Sequence, residues 1–227
     1  MSQPIIVFDL DGTLVDTTDL ILASCAHTFE RHLGGVPPRA TLVGTFGRSL
    51  PEVLLEVAKE AGVADPQGEA AAMLATYRAH NDEMHDELIR PFPGIEELLA
   101  SLAGQRVRLG VVTSKRERSA RRGLARYGLE SRFDVFVFHD DTVRHKPDPE
   151  PLRVGCRRAG VPAAASAYVG DSVHDIAAGR AAGMVTIAAL WGPFPPEDLE
   201  AAGPDALAPT PADVVTVLER LPTGTER

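Results

Sequence analysis

Five short apolar segments, separated by stretches of helical periodicity, place the tightest constraint on how this chain can fold. Each segment is rich in Val, Ile, Phe or Ala and lacks polar alternation, as expected for strands buried on both faces of a parallel sheet. The predicted strands are Ile5–Phe8, Val107–Val112, Val135–Phe138, Ala167–Val169 and Val185–Leu190. Strands and helices alternate from about residue 105 onward, which predicts an α/β fold with a Rossmann-like, doubly wound parallel sheet.

Helical patterns fill most of the intervals between these strands. The predicted helices are Ile95–Ala103, Arg118–Tyr127, Glu150–Ala159 and Asp175–Ala182, with a further helical pattern over Ala212–Leu221. Three of them are followed by glycines that are expected to end the helix, namely Gly128, Gly160 and Gly183.

The interval between the first two predicted strands breaks the alternation, because it is almost a hundred residues long. Residues 17–88 show helical spacing of apolar side chains and no convincing strand. We therefore predict a helical domain over residues 17–88, inserted into an α/β core domain built from residues 1–16 and 89–227. Pro93 and Gly94 suit the start of the helix where the chain returns to the core.

Composition excludes several classes of function. The net charge is −9 and there are three lysines, so a nucleic-acid or membrane surface is not expected. The cysteines Cys25 and Cys156 are too far apart in sequence to indicate a disulfide framework or a zinc site. We find no signal-peptide pattern at the start and no apolar stretch long enough to span a membrane, so a soluble cytoplasmic protein is expected.

Polar residues follow the predicted strands where the strands end. They are Asp9 and Asp11 after the first strand, Thr113 and Ser114 after the second, Lys146 in the loop after the third, and Asp171 and Asp175 after the fourth. In a doubly wound sheet, ligands bind at the carboxyl ends of the strands. These side chains are therefore expected to meet at one edge of the sheet.

Four carboxylates at one edge would repel one another unless a cation joined them. A hard divalent cation with oxygen ligands, Mg²⁺ above all, fits such a set. Lys146 would add a positive charge suited to a phosphoryl group, and Thr113 would offer a hydroxyl and a backbone N–H to the same oxygens.

Taken in order, "DLDGT" at 9–13, Thr113, "HKPDP" at 145–149 and "GDSVHD" at 170–175 resemble the four motifs of the haloacid dehalogenase superfamily. The helical insertion resembles the mobile helical cap of that superfamily. The resemblance covers essentially the whole chain, and four motifs on successive strand ends are far more specific than one acid pair.

The resemblance implies a role for each matching residue. Asp9 would be the nucleophile that forms an aspartyl-phosphate. Asp11 would be general acid and then general base, and its backbone carbonyl would bind Mg²⁺ together with the side chains of Asp9 and Asp171. Asp175 would orient metal-bound waters, although it could instead simply cap the helix that follows.

The phosphoryl group would be held by Thr113, Ser114 and Lys146, again by resemblance. Each of the two hydroxyl residues could alternatively be a helix N-cap, and an isolated lysine is usually a solvated surface residue. The position of Lys146 before Pro-Asp-Pro favours the functional interpretation.

Within the superfamily, the overall pattern resembles phosphoglycolate phosphatases, which implies a Mg²⁺-dependent hydrolase of a small phosphate compound. An inorganic pyrophosphatase is the alternative, because residues 77–88 and "GRSL" at 47–50 resemble the pyrophosphatases of the superfamily. Asp11 argues against a dehalogenase, and Val15 and Ile21 argue against a phosphosugar mutase. Lys59 is the only lysine of the insertion and suits a helix surface, which disfavours a phosphonatase. The intact acids disfavour a non-catalytic binding protein, and the choice between monomer and homodimer stays open.

Selectivity is expected to reside in the insertion, because the core motifs hold only the phosphoryl group. Arg48 lies in "GTFGRSL", residues 44–50, between two predicted helices. Gly44 and Gly47 permit a tight loop there. A guanidinium suits a carboxylate or a second phosphate, so Arg48 is a candidate substrate contact, with an ordinary surface arginine as the alternative.

Overall fold

A computed structural model describes residues 3–220 of the chain. The strands are β1 (Ile5–Phe8), β2 (Val15–Asp16), β3 (Arg90–Pro91), β4 (Arg108–Val112), β5 (Val135–Val137), β6 (Ser166–Gly170), β7 (Val185–Ala189) and β8 (Ala206–Ala208). The helices are α1 (Thr18–Leu33), α2 (Arg39–Val43), α3 (Leu50–Glu60), α4 (Pro66–Leu88), α5 (Ile95–Ala103), α6 (Glu117–Arg126), α7 (Glu150–Ala159), α8 (Val173–Ala182), α9 (Pro196–Ala201) and α10 (Pro211–Arg220).

Six parallel strands form the central sheet, in the order β5-β4-β1-β6-β7-β8. Strand β1 is buried on both faces, since Ile6 and Phe8 pack toward α5 and α6 while Ile5 and Val7 pack toward α7 and α8. Burying one such side chain contributes roughly 1.5–3 kcal/mol. Helices on both faces of a parallel sheet confirm the predicted doubly wound α/β class.

All five predicted strands are present, and their observed ends lie within one residue of the predicted ends. Phe138 and Leu190 fall just outside their strands. Strand β8 was not predicted. It has only three residues, which is too short for any residue pattern to distinguish it from a loop.

The predicted helices also agree with the structure. Helices α5 and α7 have the predicted bounds, and α6 is shifted by one residue. Helix α8 begins two residues earlier than predicted, because Ser172 is its N-cap. Gly160 and Gly183 adopt the left-handed conformation, with φ of 66° and 79°, and end their helices. The pattern over Ala212–Leu221 corresponds to α10, although Leu221 lies outside the described residues.

Helices α1 to α4, referred to here as the helical insertion, share an apolar core of their own. Phe29, Leu54 and Met73 are almost completely buried in it. Strands β2 and β3 lie where the chain enters and leaves the insertion, and they pair in antiparallel fashion, Val15 with Pro91. This ribbon was not predicted, because two residues per strand carry no periodicity.

None of the helices between residues 3 and 220 combines the length and the apolar character that a bilayer span requires.

Candidate active site

Strands β4, β1 and β6 are neighbours in the sheet, and the predicted site residues follow them directly. Thr113 follows β4, Asp9 follows β1 and Asp171 follows β6. Because the strands are parallel, their carboxyl ends bring these residues to one edge. The structure therefore gathers at this edge the side chains that the sequence analysis expected there.

Asp9 is buried and faces a lysine ammonium. Its carboxylate Oδ1 lies 2.9 Å from Lys146 Nζ, and its backbone N–H donates to the Val169 carbonyl at 2.9 Å. Burial raises the pKa of Asp9, Lys146 lowers it, Asp175 raises it again, and the net result is a pKa of about 7. A further cation beside Asp9 would favour its ionised form.

Lys146 reaches the edge from the loop before α7 and is only 2% exposed. Its Nζ donates to Asp175 Oδ1 at 2.6 Å and to the Tyr168 hydroxyl at 3.1 Å. Burial alone would lower the pKa of Lys146, but the carboxylates of Asp175 and Asp9 outweigh burial and raise it. Lys146 is therefore a permanent ammonium next to Asp9.

Asp175 is held by four hydrogen bonds. Its Oδ1 accepts from Lys146 and, at 2.8 Å, from the Tyr168 hydroxyl. Its Oδ2 accepts from Ser172 Oγ at 2.6 Å and from the Ser172 backbone N–H at 3.1 Å, which forms a capping box at the start of α8. Burial raises the pKa of Asp175, but Lys146 and the other donors outweigh it, so the net pKa is lowered.

Asp171 accepts a hydrogen bond of 2.7 Å from Thr13 Oγ1. Burial raises the pKa of Asp171 well above its usual range, and the nearby charges of Asp175 and Asp9 raise it further. Gly12 makes room for this carboxylate, because a Cβ at Gly12 would lie 2.2 Å from Asp171 Oδ2 and the residue has φ of 84°.

Three carboxylates of this edge can hold a metal ion together. Oxygens of Asp9, Asp171 and Asp175 all lie within 4.8 Å of one another and are buried. Oxygen-only ligands, mutual repulsion and the raised pKa values of Asp9 and Asp171 fit a hard divalent cation such as Mg²⁺.

The fourth predicted acid, Asp11, has its side chain outside this cluster. Its Oδ1 accepts from Lys115 Nζ at 2.7 Å, and both side chains are partly exposed. Asp11 and Lys115 line a cavity that opens from Asp9. Asp11, paired with Lys115, therefore lies where a substrate in that cavity could meet it.

The cavity has a volume of about 490 Å³ and lies between the sheet edge and the helical insertion. Asp9, Asp11 and Thr113 line it on the sheet side. The insertion contributes a mainly apolar wall that includes Ile21, Leu42, Phe46, Leu50 and Val53. A molecule bound here would meet acids and hydroxyls at one end and apolar side chains at the other.

The loop that carries Arg48 touches the sheet edge. Gly47 has φ of 80°, and a Cβ there would lie 2.7 Å from Ser172 Oγ. Ser114 Oγ donates to the Gly47 carbonyl at 2.8 Å, so this hydroxyl contacts the insertion. Arg48 lines the cavity, and its Nη2 donates to Glu56 Oε1 at 2.6 Å.

Two contacts of the site have no clear signal in the sequence. Tyr168 lies in β6, where every residue is buried, so its sequence position indicates only a core residue. The hydrogen bond from its hydroxyl to Asp175 depends on where Lys146 and Asp175 meet in space. The pairing of Lys115 with Asp11 joins residues 104 positions apart. Only the parallel pairing of β1 with β4 brings these two loops together.

A family model of haloacid dehalogenase-like hydrolases matches residues 6–189. The chain belongs to this family. Membership confirms the resemblance described above and identifies the chain as a haloacid dehalogenase-like hydrolase.

Curated relatives cover most of the chain. Pyrophosphatase PpaX of Halalkalibacterium halodurans is 38% identical over 181 residues, which are 80% of this chain and 80% of the relative. Pyrophosphatase PpaX of Bacillus velezensis is 34% identical over 212 residues, which are 93% of this chain and 94% of the relative.

Solved structures have the same fold. A hydrolase from Pseudomonas syringae has a TM-score of 0.86 at 23% identity, with 96% of this chain and 99% of the other covered. A structure from Lactobacillus plantarum, provisionally named a phosphoglycolate phosphatase, has a TM-score of 0.82 at 27% identity, with 96% and 100% covered.

Proposed function

We propose that this protein is a Mg²⁺-dependent phosphohydrolase that works through an aspartyl-phosphate on Asp9. The observation that carries the proposal is the buried Asp9 carboxylate, 2.9 Å from Lys146 Nζ, at the end of a cavity large enough for a small substrate. Lys146 and a metal ion held by the carboxylates would both neutralise charge on the phosphoryl oxygens. The Asp9 carboxylate, which lies beside them, is therefore suited to attack the phosphorus atom.

The reaction would proceed in two displacements. An Asp9 oxygen attacks phosphorus, the bond from phosphorus to the leaving oxygen breaks, and Asp11 donates a proton to that oxygen. Asp11 then accepts a proton from water, the water oxygen attacks phosphorus, and the bond from phosphorus to Asp9 breaks. Asp11 is suited to both proton transfers because its carboxylate faces the cavity.

The remaining residues would hold the phosphoryl oxygens and the metal. Lys146 contributes a fixed positive charge, and Thr113 contributes its hydroxyl. The expected backbone donor of Thr113 is already used, because its N–H donates to the Val137 carbonyl at 3.0 Å, and Ser114 would have to release the Gly47 carbonyl before its hydroxyl could donate to a phosphoryl oxygen. Mg²⁺, held by Asp9, Asp171 and the backbone carbonyl of Asp11, would neutralise charge on the phosphoryl group, and Asp175 would fix Lys146 and the waters around the metal.

Inorganic pyrophosphate is the first substrate we propose, in preference to the phosphoglycolate type favoured by the motifs. The curated relatives described above are named pyrophosphatases. Lys115, Arg116 and Arg78 also line the cavity, and these cations suit a leaving group that is itself a phosphate.

A phosphoglycolate-type monoester is the second candidate, and the apolar wall of the cavity favours it. Ile21, Leu42 and Phe46 can contact the carbon atoms of an organic leaving group but offer nothing to pyrophosphate. A carboxylate on that leaving group would use the same cations.

We further propose that the helical insertion, residues 17–88, is a cap that opens and closes over the core domain, residues 1–16 and 89–227. The paired β2 and β3 are the natural pivot, because both chain crossings lie there. The contacts of Gly47 with Ser114 and Ser172 are formed in this structure, so opening would break them and admit water to the cavity, and closure would restore them.

The deciding experiment is a steady-state screen of the purified protein with pyrophosphate, phosphoglycolate, sugar phosphates, nucleotides and p-nitrophenyl phosphate, with and without Mg²⁺. We expect the highest kcat/KM for pyrophosphate, with a phosphoryl adduct on Asp9 detected by mass spectrometry after acid quench. Equal rates without Mg²⁺, or an adduct on another residue, would contradict the mechanism. A preference for phosphoglycolate would select the second candidate.

A further inference from the structure

Five cationic side chains line the cavity, and three of them already have carboxylate partners. Lys115 pairs with Asp11 at 2.7 Å, Arg116 with Asp140 at 3.3 Å, and Arg48 with Glu56 at 2.6 Å. An anionic group of a substrate would have to compete with these partners.

Arg78 and Arg118 are the two that make no ion pair with any acidic side chain of residues 3–220. Arg118 lies on the first turns of α6 and is exposed to water, which screens its charge. Arg78 lies on α4, is half-buried and faces the cavity. The N–H donors of its guanidinium are therefore available to a ligand, and they are less accessible to water than those of Arg118.

A second arginine, Arg116, lies close enough to Arg78 to act on its charge. Arg116 approaches from the loop after β4, so one guanidinium belongs to the insertion and the other to the sheet domain. Burial lowers the pKa of Arg78, Arg116 lowers it further, and Asp140 and Asp82 offset the decrease only in part. An anion between the two arginines would relieve this repulsion.

We propose that Arg78 binds the second anionic group of the substrate, either the leaving phosphate of pyrophosphate or the carboxylate of a phosphoglycolate-type ester. This inference rests on the proposed phosphohydrolase function and deepens it. It places selectivity for doubly anionic substrates on Arg78 of α4. Arg48, the candidate from the sequence, is less suited to this role because Glu56 already neutralises it.

Binding of non-hydrolysable probes tests the assignment without relying on turnover. Methylenediphosphonate has two anionic groups and methylphosphonate has one, and both are titrated calorimetrically into the Mg²⁺-loaded protein. Arg78→Gln should weaken methylenediphosphonate binding by about tenfold or more, the scale of a lost charge-assisted hydrogen bond, and methylphosphonate binding much less. Arg78→Lys should fall between wild type and Arg78→Gln, since it keeps the charge and loses the planar fork.

Arg118→Gln is the matched control, because it removes the same charge from the exposed cavity mouth. An equal loss with Arg118→Gln, or equal losses of both probes with Arg78→Gln, would overturn the assignment in favour of general electrostatic attraction. Wild-type protein that binds methylenediphosphonate no tighter than methylphosphonate would also overturn it. Circular dichroism establishes that each variant is folded.

Kinetics separates this inference from the proposed function. In Arg78→Gln, kcat/KM for pyrophosphate or phosphoglycolate should fall mainly through KM, and by more than for p-nitrophenyl phosphate. If the wild type hydrolyses a doubly anionic substrate and Arg78→Gln leaves its KM unchanged, only the role of Arg78 fails. If the wild type binds methylenediphosphonate through Arg78 but hydrolyses no phosphate compound, the proposed function fails and the anion site stands.

Discussion

The sheet edge and the helical insertion present different kinds of side chain to the cavity between them. At the sheet edge, Asp9, Lys146 and Asp175 are nearly inaccessible to water, and each contacts at least one other charged group. The insertion presents a mainly apolar wall to the same cavity, and the charged side chains that it adds to the lining are Arg48, Arg78 and Asp82. The groups that we propose to hold the phosphoryl unit are thus fixed by many mutual contacts, whereas the proposed leaving-group side has fewer such contacts.

The largest effect is expected from the nucleophile at the sheet edge. Asp9→Asn should reduce turnover by at least about 10³-fold, because an amide cannot form the acyl-phosphate. Asp11→Asn should reduce it by roughly a hundredfold or more through lost proton transfer. Steady-state rates with p-nitrophenyl phosphate measure both. A near-wild-type rate for Asp9→Asn would contradict covalent catalysis at that residue.

Removal of the metal from the sheet edge should reduce turnover about as much as the Asp9 substitution. We expect EDTA to abolish activity and Mg²⁺ to restore it, while Ca²⁺ inhibits. Calcium is larger and accepts more ligands, so it can engage Asp9 through both oxygens and block its attack. Full activity in metal-free protein would contradict the Mg²⁺ assignment.

The two lysines of the site allow a matched comparison of stability. Lys146→Ala should lower the free energy of unfolding by about 3–5 kcal/mol, because it leaves the buried carboxylates of Asp9 and Asp175 without their partner. Lys115→Ala removes a partly exposed partner of Asp11 and should cost about 1 kcal/mol or less. Urea denaturation in EDTA measures both, and equal losses would refute the contrast between buried and exposed charges.

Arg48 gives a smaller test on the side of the insertion. Arg48→Ala should raise KM for pyrophosphate or phosphoglycolate more than KM for p-nitrophenyl phosphate if this side chain reaches the second anion. Because Glu56 holds its guanidinium at 2.6 Å, we expect a smaller rise than with Arg78→Gln. Equal changes on all substrates would leave Arg48 as an ordinary surface arginine.

The smallest effect is expected at the contact between α4 and α6. Asp86 Oδ2 lies 3.0 Å from Arg122 and 3.7 Å from Arg126, which joins the insertion to the sheet domain. Asp86→Ala should raise KM by no more than about fivefold, since exposed ion pairs are weak. Hydrogen exchange at residues 89–92 should become faster. Glu83→Ala, an exposed acid on the same helix that lacks an ion pair within the described chain, is the control and should change neither.

Much of the fold could be predicted because burial leaves a pattern in the sequence. The bounds of β1 and α5 match the prediction, since long or fully buried elements repeat the same residue preferences. The ribbon of β2 and β3 was missed because it depends on two distant dipeptides meeting across the insertion.

Some parts of the candidate site could likewise be predicted from the sequence, and others could not. Asp9, Thr113 and Asp171 could be placed from the sequence because each comes directly after a strand. The contacts of Tyr168 with Asp175, and of Lys115 with Asp11, could not, because they depend on the order and spacing of strands within the sheet. The carboxylate of Asp11 was expected in the acid cluster, but the structure turns it toward the cavity.

The pairing of Val15 with Pro91 and of Asp16 with Arg90 gives the molecule a modular design. The chain leaves the sheet domain and returns to it at adjacent points, so both covalent connections to the insertion run through one two-stranded ribbon. A short turn grafted between Asp16 and Arg90 would close the sheet domain with its strand order unchanged, and a different insert could be spliced there. Evolution or a protein engineer could thus exchange the helical insertion while keeping the residues of the sheet edge in place.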